Sequence, residues 1–313
     1  ISGQDGSYLA KYLLGKNYEV HGTSRDADLS TFYGLKKLGI CDKIRLYSMS
    51  LIDFRSVMQT ILQIMPDEIY NLAGQSSVGL SFYQPVETLE SISIGTLNIL
   101  EVLRFHKLPI RFYNASSSEC FGDIDGKAAN ETTPFMPRSP YAVAKATAFW
   151  QVANYREAYG LFACSGILFN HESPLRPRRF VTKKIVETAC NISKGKKEKL
   201  ILGNVSIKRD WGWAPEFVEA MYLILQQEKP DDFVIATGKN LSLEKFVAKT
   251  FQHFNLNYKD YTSYDNSLFR PSDISESLGD PSKAKEVLKW RAKYYVDDVI
   301  KMMIEHQLKE MKN

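Results

Sequence analysis

The chain is poor in the residues that would place it in several common protein classes. It has only four cysteines, Cys41, Cys120, Cys164 and Cys190, scattered over 313 residues with no C-x-x-C spacing. That argues against a disulfide framework and against zinc, so no metal is expected, and the usage fits a reducing cytoplasm. No apolar run approaches the length of a membrane span, and no stretch has the basic-then-apolar layout of a signal peptide. An excess of one charge is also missing: 40 Lys and Arg against 36 Asp and Glu leave a net charge of +4. That is too mild to argue for nucleic acid and fits a small anionic ligand equally well. There are no repeats, low-complexity tracts or long linkers. What remains is ordinary globular composition, 44% apolar and 24% charged. The length allows one large α/β unit or two intimate lobes.

Short apolar runs alternate with helical patterns. Residues 18–23, 44–47, 68–72, 110–115 and 162–169 read as strands buried on both faces of a parallel sheet. Between them lie helical patterns at 7–14, Phe54–Ile64, 87–105 and Pro140–Tyr159, the last with Ser139 as N-cap and Pro140 at its first position. The alternation predicts an α/β fold, a doubly wound parallel sheet of the Rossmann type, over residues 1–169. After residue 169 the segments shorten and fill with Arg, Lys and Pro. Residues 170–313 therefore read as a smaller α/β lobe over the carboxyl edge of the sheet, with 232–236 returning to it as a strand. The KGKKEK run at 194–199 reads as a solvated helix end and loop.

The opening ISGQDGSYLAKYLL carries chemistry. Gly3 and Gly6 have the spacing of the second and third glycines of G-x-x-G-x-x-G. Such a turn lets backbone approach a pyrophosphate, which the helix N-terminus then holds. Alone, a G-x-x-G pair is more often an ordinary loop. The first glycine and the first strand are expected just upstream of Ile1. A strand at 18–23 follows at the right distance, and Arg25 just past it stands where the fold reads the adenosine ribose. Arginine there favours a 2′-phosphate and hence NADP; Asp26 beside it leaves NAD open.

YAVAK places Tyr141 and Lys145 one helical turn apart on one face. A nearby ammonium lowers the pKa of a phenol, so the pair can take a proton from a sugar hydroxyl. The motif is common by chance. ASSSECFG (115–122) follows the fourth strand. Ser117 is placed to hydrogen-bond the reacting hydroxyl, and Glu119 supplies a second base, which a simple dehydrogenase or 4-epimerase does not need but an enzyme eliminating water does. The bland alternative is a strand-end serine cluster with a solvated glutamate. Cys120 reads as a buried structural thiol.

The set GQDG, YNLAGQS, SSSE, PRSPYAVAK, ILFNHESP and KRDWGWAPEFVEAM resembles the GDP-mannose 4,6-dehydratases, members of the extended short-chain dehydrogenase/reductase superfamily. The likeness runs over nearly the whole chain. It implies catalytic roles for Ser117, Ser118, Glu119, Tyr141 and Lys145. It implies that Gly3, Gln4, Asp5 and Gly6 meet the pyrophosphate and that Arg25, Ser50 and Leu51 meet the adenosine. Leu72, Ala73, Gly74, Gln75 and Ser76 would then lie beneath the nicotinamide ribose, with His171 and Arg176 also on the cofactor. Asn170, Lys184, Arg209 and Arg270 would hold the nucleotide sugar, and arginines are suited to forked phosphate contacts.

The implied activity converts GDP-mannose to GDP-4-keto-6-deoxymannose with NADP, in a homodimer or homotetramer. Several positions depart from the family. Ser117 replaces threonine, Arg25-Asp26 an arginine pair, Met49-Ser50-Leu51 a G-D-L motif, Phe121 a tyrosine and Trp213 a histidine. The segment between Arg25 and Ile44 is shorter. GDP-manno-heptose as substrate, a reductase or 4-epimerase on the same fold, and a cofactor-binding regulatory protein are the alternatives.

Overall fold

In the computed structural model, which describes residues 1–312, the glycine turn opens directly into α1 (Gln4–Leu14). Asp5 in its first turn and Lys11 in its last complement the helix dipole. β1 (His21–Ser24), α2 (Tyr33–Lys37) and β2 (Arg45–Ser48) follow. Residues 18–20, read from sequence as part of the strand, lie between the turn after α1 and β1: the Tyr18 amide donates to Leu13, while the Val20 carbonyl accepts from Arg45 of β2. α3 (Phe54–Ile64) starts at Asp53, whose carboxylate accepts from the Arg55 amide at 3.0 Å. β3 (Glu68–Asn71) and the short α4 (Val78–Ser81) lead into α5 (Pro85–Leu89). A π-helical turn at Glu90–Ile94 joins α5 to α6 (Gly95–Phe105), so the helix expected at 87–105 is interrupted. There the Thr96 hydroxyl donates to the Ile92 carbonyl at 2.7 Å.

β4 (Arg111–Ser117) and α7 (Pro140–Tyr159) carry the central motifs. The Ser139 hydroxyl accepts from the Ala142 amide at 3.1 Å, Pro140 takes the first position, and Gly160 ends the helix in the left-handed region at φ +67°. β5 (Ala163–Leu168) is buried along its whole length. Then come β6 (Asn170–Glu172), α8 (Val181–Ser193), β7 (Leu200–Leu202), β8 (Lys208–Trp213), α9 (Ala214–Leu225) and β9 (Phe233–Ile235). β10 (Asn240–Ser242), α10 (Leu243–Gln252), β11 (Thr262–Tyr264), α11 (Ser282–Val287) and α12 (Val296–Glu310) complete the described elements.

The strands of the first half are parallel, in two sheets ordered β1-β2 and β3-β4-β5-β9. Between β1 and β3 lies an apolar cleft of about 340 Å³, lined by Leu9, Leu13, Val20, Ile61 and Ile69 among others. Ile1 stands at its edge, its backbone nitrogen 2.9 Å from the Thr23 carbonyl oxygen. Asp232 fixes the approach of β9 to β5: it pairs with Arg156 of α7 and accepts from the Ser165 amide at 2.6 Å.

β6, β8 and β10 form a separate sheet, and β7 pairs with β11. A second core of Ile185, Trp211, Phe246, Phe251 and Met303 gathers α8, α10 and α12. Phe246 is fully buried there, and cutting it to alanine would cost about 3–5 kcal/mol. α9 lies beyond residue 170 yet packs on α1, with Phe217, Met221 and Ile224 in the core shared with Leu9 and Leu13; Trp290 joins it. More of the second half returns to the first than the single strand at 232–236.

Candidate active site

The end of β4 sets the centre. Its last residues are buried, and Ser117 leads into a 3-10 turn, Ser118–Phe121. The Ser117 hydroxyl accepts from the Glu119 amide at 3.3 Å, which fixes the turn and keeps Glu119 beside the strand end. Gly122 closes the turn at φ +69°; a Cβ there would fall 2.2 Å from the Met136 carbonyl oxygen, so glycine is required. α7 runs along β4 and brings Tyr141 to the same place, its phenol facing the Ser117 side chain. Lys145, one turn on, donates from Nζ to the Ala115 carbonyl at 2.7 Å and lies 5.9 Å from the centre of the Tyr141 ring. Ser117, Ser118, Glu119, Tyr141 and Lys145 are thus brought together.

Burial dominates their electrostatics. It pushes the Glu119 carboxyl up, against the pull of Arg209 and Arg270. It lowers the Lys145 ammonium to about 8. It also raises the Tyr141 phenol, with Ser117 opposing. The expected lowering of the phenol by Lys145 is therefore reversed: burial disfavours the phenolate, and the ammonium is turned to the Ala115 carbonyl. Cys120 faces away from the centre, its Sγ 3.8 Å from both the Ser116 hydroxyl and the Ala142 carbonyl. Burial raises its thiol to about 12.

The residues expected on a cofactor line the carboxyl ends of the parallel strands. Gly3 presents an open face, since an added Cβ meets nothing within 4 Å, whereas one on Gly6 would lie 2.6 Å from the Ile1 carbonyl oxygen. Arg25 is exposed just past β1. Ser50 and Leu51 follow β2. The Ser50 amide donates to the Ser56 hydroxyl at 3.1 Å, and the Leu51 carbonyl accepts from Asn98 at 2.7 Å. Beyond β3, Leu72 and Ala73 lead to Gly74, at φ +113°. The Gln75 amide donates to Ser91 at 3.2 Å, and the Ser76 hydroxyl accepts from Arg179 at 3.3 Å.

Gln4 and Asp5 are tied to β6 and the loop after it. Gln4 donates to the His171 carbonyl at 3.1 Å and accepts from the Ser173 hydroxyl at 2.7 Å; Asp5 meets the His171 ring at 3.0 Å. Arg176 stacks on Phe180 at 3.7 Å and pairs with Glu172 at 3.1 Å. Free first-turn amides on α1, an unobstructed Gly3 and an arginine past β1 are the donor set an extended anionic dinucleotide needs.

On the opposite side, Arg209 and Arg270 converge on one oxygen of Asp273, at 3.0 and 3.2 Å. Arg209 is buried and donates further to the Lys208 and Ile274 carbonyls, at 2.9 and 2.8 Å. Arg270 is partly exposed. Asp123, just beyond Glu119, accepts from the Ser275 amide and hydroxyl at 2.7 and 2.6 Å and so anchors this segment. Asn170 opens β6 opposite Trp211. Lys184 is half-buried on α8 and donates to the Ile201 carbonyl at 2.7 Å. Sequence reasoning missed Asp123, Ser173, Arg179 and Asp273. Only Asp273 had a signal, its place three residues after Arg270.

Comparison with known proteins is consistent over the whole chain. A family model described as GDP-mannose 4,6 dehydratase matches residues 1–303. The chain is 46% identical to GDP-mannose 4,6 dehydratase 2 of Arabidopsis thaliana, over 98% of this chain and 85% of that protein. It is 40% identical to the Homo sapiens GDP-mannose 4,6 dehydratase, over 100% and 91%. Among solved structures, UDP-glucose 4-epimerase of Thermotoga maritima with UDP-glucose superposes with a TM-score of 0.85 at 21% identity, covering 99% of this chain and 97% of that one. The dTDP-glucose 4,6-dehydratase of Bacillus anthracis, in complex with NAD, gives 0.85 at 19% identity, over 99% and 95%. At such identities these two show the fold alone.

Proposed function

The chain belongs to the GDP-mannose 4,6-dehydratase family, and we propose that the β4–α7 edge is where it removes water from GDP-mannose to give GDP-4-keto-6-deoxymannose. The observation that carries the assignment of residues is Glu119. It stands beside Ser117 and Tyr141 with its carboxyl pushed up by burial, a second acid–base group that oxidation alone does not need.

A nicotinamide dinucleotide, when bound, would supply the hydride chemistry needed at C4 and C6. The residues of this chain handle the protons. Tyr141 takes the proton of the sugar 4-hydroxyl, with Ser117 holding that oxygen in line. Lys145, 5.9 Å from the Tyr141 ring, would have to offset part of the burial that disfavours negative charge on the phenol as it gives up its own proton. The ketone at C4 makes the C5 hydrogen acidic, and Glu119 removes it. The C6 hydroxyl then leaves as water, protonated by Glu119 with help from Ser118. The proton that Tyr141 took is returned to C5 as C6 is reduced, so every group is restored and the net change is loss of one water. The first-turn amides of α1 and Arg176 would hold the cofactor end, on a turn that Gln4, Asp5 and His171 brace. Asn170, Lys184, Arg209 and Arg270 would hold the nucleotide sugar.

NADP is the finer reading of the cofactor, supported by the exposed Arg25 past β1. The nucleotide released from purified protein tests it, and a nucleotide without a 2′-phosphate would sink it. A homodimer or homotetramer is the finer reading of assembly. It is supported by the large exposed apolar side chains Val86 and Leu89 on α5 and Val143 and Trp150 on α7, helices that pack on each other. Light scattering that found a monomer would end it. The four free thiols, three of them buried, suit a reducing compartment. The activity is tested by incubating the protein with GDP-mannose and following mass. A product lighter by one water, formed without added reductant, is expected. Unchanged mass despite GDP-mannose binding would overturn the reading.

A further inference from the structure

The glycine turn contains a contradiction that the cofactor reading leaves open. A helix N-terminus attracts an anion, yet α1 carries Asp5 in its first turn, where its own carboxylate would compete with and repel a pyrophosphate. His171 resolves it. Its Nδ1 lies 2.7 Å from the Phe169 carbonyl oxygen, which only accepts, so Nδ1 carries a hydrogen. Its Nε2 lies 3.0 Å from Asp5 Oδ2. Burial pushes the Asp5 carboxyl up but His171, Gln4 and Arg176 outweigh it, holding it at about 2; an ionised carboxylate also only accepts. Both ring nitrogens therefore donate, and a ring with two N–H groups is an imidazolium.

The surroundings keep it so. Burial works against the charge, but Asp5 more than offsets it and the histidine is raised overall. The charged groups facing the ring are Asp5 from α1 and Arg176 from the loop after β6. Phe217 of α9 covers one face with a neutral ring, centroids 4.6 Å apart. Gln4 completes a closed set. Its amide donates to Asp5 Oδ1 at 3.0 Å and to the His171 carbonyl at 3.1 Å, and its oxygen accepts from Ser173 at 2.7 Å. Turn and strand thus hold each other at three points.

We infer that His171 is a positioning residue for dinucleotide binding: as an imidazolium it neutralises Asp5 and pins it to β6, leaving the first-turn amides of α1 to the pyrophosphate. The inference rests on the cofactor reading above, and gives His171 a role through Asp5 rather than through the ligand. Cofactor retention should weaken as pH rises through the raised value of His171, because the neutral ring no longer cancels the Asp5 charge.

The test is a double-mutant cycle read by NADPH fluorescence titration, with ¹⁵N-histidine spectra of the same proteins. His171→Gln keeps a donor but loses the charge, and NADPH binding is expected to weaken about 10- to 100-fold. Adding Asp5→Asn to His171→Gln should recover most of that loss and abolish the pH dependence. The wild-type spectrum at neutral pH should show two protonated nitrogens for His171. His171→Gln binding like wild type, or a double variant as weak as the single, overturns the inference. A neutral ring in a chain that binds NADPH overturns only this role. An imidazolium in a chain that takes up no NADPH overturns the cofactor reading, and this role with it.

Discussion

The two sides of the site are built by different means. On the β4–α7 side, geometry comes from links a few residues long. Ser117 fixes Glu119 two positions on, Ser139 starts α7, and Tyr141 and Lys145 share a face by helical period alone. On the other side, Arg209 of β8 and Arg270 of a later loop meet at Asp273, and Asp123 ties that loop back to the turn carrying Glu119. Local links leave Glu119 and Tyr141 free to react, and only Lys145 is held by a longer one, to the Ala115 carbonyl. Long-range links consume theirs: Arg209 spends three hydrogen bonds on holding the chain together, whereas Arg270 spends one. The difference predicts that substitutions on the first side alter turnover and those on the second divide between stability and binding.

The largest effect is expected at Glu119. Glu119→Gln should fold and bind nucleotide but lose about 10²- to 10⁴-fold in turnover of GDP-mannose. The same change bears on stability, because burial raises the carboxyl. A group whose folded value lies above its unfolded one contributes stability that is present at low pH and lost as pH rises through the folded value. Glu119→Gln removes that loss, so its melting temperature relative to wild type should improve as pH rises from the usual carboxylate range through the raised value. Wild-type turnover in the variant would remove Glu119 from the chemistry. No pH trend in relative stability would remove the claim that burial governs its charge.

Arg209 and Arg270 split the second side. Arg209→Ala leaves Asp273 and two carbonyls without their buried donor, a change that typically costs about 3–5 kcal/mol and should appear as a large fall in melting temperature. Arg270 is partly exposed and bonds only Asp273, so Arg270→Ala should leave melting nearly unchanged. It should instead raise KM for GDP-mannose about tenfold, the share of one charge-assisted hydrogen bond to a phosphate. Equal melting losses in both variants would erase the distinction between holding and binding.

The same division explains what could be read from the sequence. α7 lies where its cap, proline and terminal glycine put it, and Gly3-x-x-Gly6 does open a helix. These are short-range rules acting on adjacent residues. The strand at 18–23 was displaced because the chain after α1 must first turn, which Leu13 and Tyr18 accomplish with a backbone bond that leaves no mark in composition. The helix at 87–105 hid a π turn because its apolar period barely changes there. Asp123, Ser173 and Arg179 were invisible because each gains meaning only from a partner a hundred or more residues away. Burial is likewise a property of the fold, so the rise in Tyr141 was not legible where the i, i+4 spacing to Lys145 was.

The smallest expected effect lies at Cys120, inside the chemical side yet outside the chemistry. It neighbours Glu119 in sequence, and nearness alone would make its thiol a candidate nucleophile. Geometry says otherwise: Sγ faces Ser116 and the Ala142 carbonyl, within the packing of β4 against α7, and burial raises the thiol to about 12. A thiolate is the reactive form, and at neutral pH almost none is present. Cys120→Ala should therefore leave kcat within about twofold while lowering stability by about 1 kcal/mol, the loss of one small buried group. Alkylating reagents should modify Cys120 only as the protein unfolds, and after half-buried Cys41. A kcat loss at Cys120 as large as the one at Glu119, with melting unchanged, would mean that the short links of β4 and α7 deliver a reactive thiol as well as an acid.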